Sequence, residues 1–149
     1  MRNFIIIISF LFSIENSFAQ SKNISIDSLE IGQKYYINVE SKGCFHHSEL
    51  QLTFSKKPEG YFETFEMKGF IEDKKVKTKF KRTQLTKSKL DSLRKFEREL
   101  IIVSSQRRDC TTVDTYSLSI SNDKNVHTVD DCDWPGIGKL IGVLFKGYQ

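Results

Sequence analysis

The residues with the most chemical potential sit together: Gly43-Cys44-Phe45-His46-His47 brings a thiol and two imidazoles into one short run. In extended backbone Cys44 and His46 share one face and His47 takes the other. Joined by His127 or Cys132 from farther along the chain, these donors have the chemistry of a soft-metal site. The spacing argues against it. No CxxC, HxxxH or HExxH pattern occurs, so the cluster reads as structural, and no metal ligand, cofactor or catalytic residue is assigned on sequence grounds. A catalytic thiolate needs a positioned base, and cysteine hydrolases do not assemble from a Cys and a His so near in sequence.

Two charged groups follow. Asp130, Asp131 and Asp133, with Asp109 beside Cys110, offer oxygen ligands, but the alternating acids and mid-loop glycine of a calcium loop are missing. Asp133 reads instead as the cap of a helix that opens at Pro135, where no amide donor is needed. Lys75, Lys77, Lys79 and Lys81 alternate with Val76, Thr78 and Phe80, giving one strand a cationic face. Such a face attracts an acidic protein or an anionic glycan; lysines on a strand edge also block edge-to-edge pairing. Aromatics do not interleave on that face as single-strand nucleic-acid platforms require, so no nucleic-acid partner is expected. The chain carries no GxSxG, Walker or dinucleotide-binding motif, which leaves serine hydrolysis, nucleotide binding and hydride transfer without support. Hydrolysis by two carboxylates distant in sequence leaves no local spacing to read.

The chain opens with a basic Arg2, an apolar run from Phe4 to Phe12, and Ser17-Phe18-Ala19. This is the pattern of a secretory signal peptide over residues 1–19, with small residues where signal peptidase requires them. The apolar run is too short for a transmembrane helix, which needs about 20 residues, so the expectation is a secreted or periplasmic protein without a membrane partner after cleavage. Residues 20–149 then form a single domain, long enough to bury a core of its own. The formal charge of +4 is unchanged by the leader, because Arg2 and Glu15 cancel. In an oxidising compartment the three cysteines permit one disulfide. Cys110 with Cys132 is the favoured pair, because both lie just outside one expected hairpin.

These residues need elements to hold them. Residues 20–31 read as a loose lead-in. From Gln33, Tyr35, Ile37 and Val39 alternate with polar neighbours, as do Leu50, Leu52 and Phe54, then Tyr61 to Lys68, ended by Gly69, then Val76 to Arg82. Lys57-Pro58-Glu59-Gly60 has turn composition. The four runs predict an antiparallel meander. The period then changes: Leu90, Leu93, Phe96, Leu100 and Ile101 recur at three- and four-residue steps, predicting an amphipathic helix capped by Thr86 or Ser88. Tyr116 to Ile120 and Val126 to Asp130 predict a hairpin around Asn122–Asn125. Ile137, Leu140, Ile141 and Leu144 give a short C-terminal helix, weakened by Gly136, Gly138 and Gly142 unless these pack closely.

The fold expectation is therefore α+β: an antiparallel sheet of about six strands, one amphipathic helix on a face, and a short C-terminal helix. The functional expectation is an exported, non-enzymatic binding or accessory domain. The alternative is an inhibitor or immunity-type protein that blocks an enzyme in the same compartment. An enzyme or metal-binding protein using Cys44, His46 and His47 stands third.

Overall fold

Alternating polar and apolar residues give each strand one face that must be covered, and the helix stripe supplies the cover. The computed structural model describes residues 24–44, 47–71, 74–103, 111–121, 126–132 and 134–146, with the side chains of 68–71, 74–77, 80–82 and 126 outside that description. The described strands are β1 (Lys34–Gly43), β2 (His47–Lys57), β3 (Gly60–Ile71), β4 (Lys74–Gln84), β5 (Thr112–Ile120) and β6 (Val126–Asp131). They form one sheet in the order β4-β3-β2-β1-β5-β6, antiparallel throughout. Helices α1 (Lys87–Ile102) and α2 (Gly136–Leu144) complete the α+β fold. After the β1–β4 meander, α1 carries the chain back so that β5 pairs with β1.

The core lies on one side of the sheet. Tyr35, Ile37 and Val39 of β1, Leu52 and Phe54 of β2, Phe65 of β3, Tyr116, Leu118 and Ile120 of β5 and Val129 of β6 are buried with Leu93, Phe96 and Leu100 of α1 and Leu140 and Leu144 of α2. Trp134 packs between layers, 5.1 Å from the Phe96 ring and 5.1 Å from the Tyr116 ring. Phe145 reaches the Phe65 ring at 5.0 Å. Thr86 caps α1, its hydroxyl accepting from the Lys89 amide. Gly60 begins β3 at φ +131°, a left-handed-side conformation that closes the Pro58–Glu59 turn where a side chain would be strained.

Four expectations are corrected. The lead-in is anchored, not loose: Ser25 caps a single 3-10 turn at Ile26–Ser28, and Ile26 and Leu29 are fully buried. Ile101 is exposed, while Glu97 takes a buried place in the stripe, because Leu93, Phe96, Glu97 and Leu100 define the inward face. Gly69 does not end β3; it pairs with Ser48 and Val76, and the strand runs on to Ile71. Helix α2 starts at Gly136 with Pro135 in the cap position and no side-chain cap; Asp133 lies outside the described residues. Gly136 packs against the Trp134 ring with no room for a β-carbon, whereas Gly138 and Gly142 face open space.

The buried carboxylates do specific work. Glu97 Oε1 accepts from the Ile26 amide at 2.8 Å, and Oε2 accepts from the Ser25 hydroxyl at 3.0 Å. One turn earlier, Arg94 grips Asp27 through both Nε and Nη2. Glu63 pairs with Lys89 at 2.8 Å and accepts from the Thr83 hydroxyl at 2.9 Å. Burial raises both Glu97 and Glu63 above the ordinary carboxylate range, outweighing these hydrogen bonds.

Leu93 and Phe96 are buried to 0% and 3% exposure. Leu93→Ala should destabilise by about 2–5 kcal/mol and Phe96→Ala by about 3–5 kcal/mol, read from chemical denaturation midpoints. A carboxyl whose folded-state pKa is raised stabilises fully below its unfolded value and loses that contribution as pH rises through the folded one. Glu97→Gln keeps an acceptor for Ile26 without the buried charge. Its denaturation midpoint should match or exceed the wild type's at neutral pH. The wild type's decline from the acidic carboxylate range toward neutrality should be shallower in the variant.

Candidate functional site: the open face of the sheet

The apolar faces of β1, β2 and β5 turn toward the helices, so their other residues point to the opposite side. The register lines these up in rows. Ser117, Asn38, Gln51, Glu66 and Lys79 are successive partners across β5, β1, β2, β3 and β4. The next row runs Asp130, Thr115, Glu40 and Glu49 across β6, β5, β1 and β2. A depression of about 310 Å³ opens over these rows, lined by Glu40, Glu49, Glu66, Asn38, Gln51, Thr115 and Ser117 among others. The Gln51 amide donates to Asn38 Oδ1 at 2.8 Å, and the Thr115 hydroxyl donates to Asp130 Oδ1 at 2.8 Å.

One end of the depression is strongly charged. Glu40 faces Glu49 directly across β1 and β2, and Lys42 faces His47 one step beyond. Lys42 Nζ lies 2.8 Å and His47 Nε2 3.0 Å from Glu40 Oε1, and His47 Nε2 lies 3.9 Å from Glu49 Oε1. Like charges directly opposite on neighbouring strands disfavour pairing; the ammonium beside Glu40 and the His47 ring within reach of both carboxylates lessen that repulsion. The Lys42 hydrogen bond above all, with help from His47, holds the Glu40 carboxyl below its ordinary range against the opposing effect of desolvation. The pairing therefore stabilises above the unfolded carboxylate pKa and is lost as pH falls through the depressed one. Glu40, His47 and Glu49 each bring a ligand atom within 4.8 Å of the others, which makes them a possible donor set for a cation.

The sequence-flagged residues fall elsewhere in part. Cys44 is a free, exposed thiol in the β1–β2 turn and does not join this group; His46 lies outside the described residues. His127 pairs with Leu118, on the helix-covered side of the sheet, and Cys132 is disulfide-bonded, so neither completes a site with His47. Cys110 lies outside the described residues. Lys79 is exposed on β4, which forms one edge of the sheet, while the side chains of Lys75, Lys77 and Lys81 are outside the description. A register shift between Glu63 and Phe65 interrupts the regular pairing of β3 with β4.

Sequence reasoning missed Glu40, Glu49 and Glu66, which are 26 positions apart at their extremes and gather only through strand register. A usable signal was present in the first hairpin. Once the turn is centred after Gly43, antiparallel pairing sets Glu40 against Glu49 and Lys42 against His47. No family model matches the chain, and no curated protein matches it.

Glu49→Gln removes the like-charge opposition to Glu40. At about pH 8 it should raise the denaturation midpoint above the wild type's, because the cross-strand like-charge pair is gone. The gain should shrink with added salt, as measured by urea denaturation at low and high ionic strength.

Proposed function

We propose that this protein is an exported binding module that holds amine-bearing ligands on the open face of its sheet. One observation carries the reading: three adjacent strands place the carboxylates of Glu40, Glu49 and Glu66 around a single open depression. The amide and hydroxyl oxygens of Asn38, Gln51, Thr115 and Ser117 complete a lining rich in acceptors, the complement of an ammonium with three donors. Lys42 already occupies one of these carboxylates as an internal ammonium, 2.8 Å from Glu40. Binding is favoured over hydrolysis by the electrostatics of Glu40. A general acid needs a raised carboxyl pKa, and Lys42 moves this one the other way.

Export rests on the leader at residues 1–19, and the Cys110–Cys132 disulfide belongs to the same proposal, supported by the bonded state of Cys132 and the free state of Cys44. Among the described residues no helix is long and apolar enough to cross a membrane. A second reading comes from β4. Its position at the sheet edge and its exposed Lys79 suit an acidic protein or anionic glycan, including an enzyme that the domain would inhibit.

Titration of the purified protein with spermidine, and separately with heparin as an anionic probe, distinguishes the two surfaces. Spermidine should shift amide resonances of β1, β2 and β3 around the depression, weaken with salt, and lose affinity when Glu40, Glu49 and Glu66 are all replaced by Gln. Spermidine binding unaffected by those substitutions, or saturable binding of heparin alone, would overturn the cationic reading. Intact mass of the exported protein should correspond to a chain beginning at Gln20.

A further inference from the structure

We propose that Glu40, His47 and Glu49 form a binding site for a borderline divalent transition metal, of which Zn²⁺ is the representative probe. The donor atoms are already gathered. His47 Nε2 lies 3.0 Å from Glu40 Oε1 and 3.9 Å from Glu49 Oε1, and the three ligand atoms all fall within 4.8 Å of one another. Metal bonds of about 2.0–2.1 Å in a tetrahedral site separate ligand atoms by about 3.3 Å. The observed spacings bracket that value, so small rotations of two glutamate side chains close the set without moving the backbone.

The donor chemistry selects the class of metal. One imidazole and two carboxylates suit Zn²⁺ and its neighbours, whereas Ca²⁺ and Mg²⁺ favour oxygen-only shells. Three protein ligands leave a coordination position open, and two of them, Glu40 and Glu49, also line the depression. The backbone register supplies an independent reason for a cation here. Glu40 and Glu49 are fixed as direct cross-strand partners, an arrangement that costs stability unless positive charge sits between them. Lys42 provides some of that charge now, with its ammonium 2.8 Å from Glu40 Oε1. It is a displaceable occupant: the Lys42 side chain is 63% exposed, against 36% for Glu40 and 40% for His47. A divalent ion gains two carboxylates and an imidazole at once, and the lysine stem swings into water.

The site shares one end of the depression assigned above to amine ligands and so deepens that reading, yet its key ligand is separate. His47 does not line the depression. Removing it separates the two activities.

Isothermal titration of the purified protein with ZnCl₂ should give one saturable site, with Ca²⁺ failing to compete. His47→Gln should weaken Zn²⁺ binding by at least about tenfold, and Glu49→Gln should weaken it as well. Lys42→Met should tighten it by at least about fivefold, the scale of one unit-charge interaction at 4 Å in water; this gain cannot arise from misfolding. Cys44→Ser should bind as the wild type does. Zn²⁺ binding that survives His47→Gln, disappears in Cys44→Ser, or is unchanged or weakened by Lys42→Met would overturn the site. Spermidine binding retained in His47→Gln alongside lost Zn²⁺ binding supports both assignments. Zn²⁺ binding without spermidine binding would refute only the amine reading. The absence of a saturable Zn²⁺ isotherm in protein that binds spermidine would refute only the metal site.

Discussion

Everything on this sheet depends on the registration of one buried row. Leu118, Ile37, Leu52 and Phe65 are successive partners across β5, β1, β2 and β3, and all four are buried. Strand side chains alternate sides, so a slip of one residue would turn this row to water and bring Asn38 or Gln51 into the core. The penalty for that slip fixes the outer face as firmly as the inner one. Glu40 cannot move away from Glu49, nor Lys42 from His47, without disturbing Ile37 and Leu52. A charge arrangement that would be unfavourable alone is thus imposed by hydrophobic packing on the other side of the same strands.

Hydrophobic burial is not directional, and the apolar stripe of α1 could slide along the sheet at small cost. Two buried carboxylates remove that freedom. Glu97 ties α1 to the Ser25 hydroxyl and the Ile26 amide, and Glu63 ties β3 to Lys89 in the first turn of the same helix. Both groups are desolvated enough to raise their pKa values, so they are poor sources of net stability. Their contribution is position: Glu63 fixes the first turn of α1 relative to β3, and Glu97 fixes a later turn relative to the Ser25–Ile26 segment. The Arg94–Asp27 pair adds a solvent-side contact to the same N-terminal turn, where its energetic weight is small.

The elements were legible because their periods differ. Tyr35-Ile37-Val39 alternates with period two, and Leu93-Phe96-Leu100 follows the helical step, so strands and helix separate on pattern alone. The order β4-β3-β2-β1 followed from short turns, but the docking of β5 against β1 did not, since nothing local encodes which edge a crossover reaches. Ile26 and Leu29 read as isolated apolar residues in a polar run; they are buried in the apolar core, where Glu97, 71 positions from Ile26, holds the Ile26 amide. Glu97 itself has the charge of a surface residue and the helical phase of a core one, and phase decided. The candidate site was hidden for a related reason. A thiol and imidazoles cluster in sequence around Cys44 and His46, while the group gathered in space takes His47 and two glutamates that read as ordinary polar positions in alternating strands.

A polar face on an antiparallel sheet is common and by itself says little. What sets this one apart is that its charge is uneven. Along the row through Asn38 and Gln51 the central partners are an amide pair and a serine, whereas Glu40, Glu49 and Glu66 crowd the depression. The chain as a whole is positive, at +4, so it does not draw cations from a distance. At physiological ionic strength charges are screened beyond about 8 Å, which leaves the local carboxylates to govern any ion that reaches the depression. Under the proposed binding role, capture there would depend on contact rather than steering, and contact favours ligands that satisfy several acceptors together. A divalent ion bridging two strands does this, as does an amine seated among carboxylate, amide and hydroxyl oxygens. Lys42, tethered at the rim, sets the threshold that either must exceed to occupy Glu40.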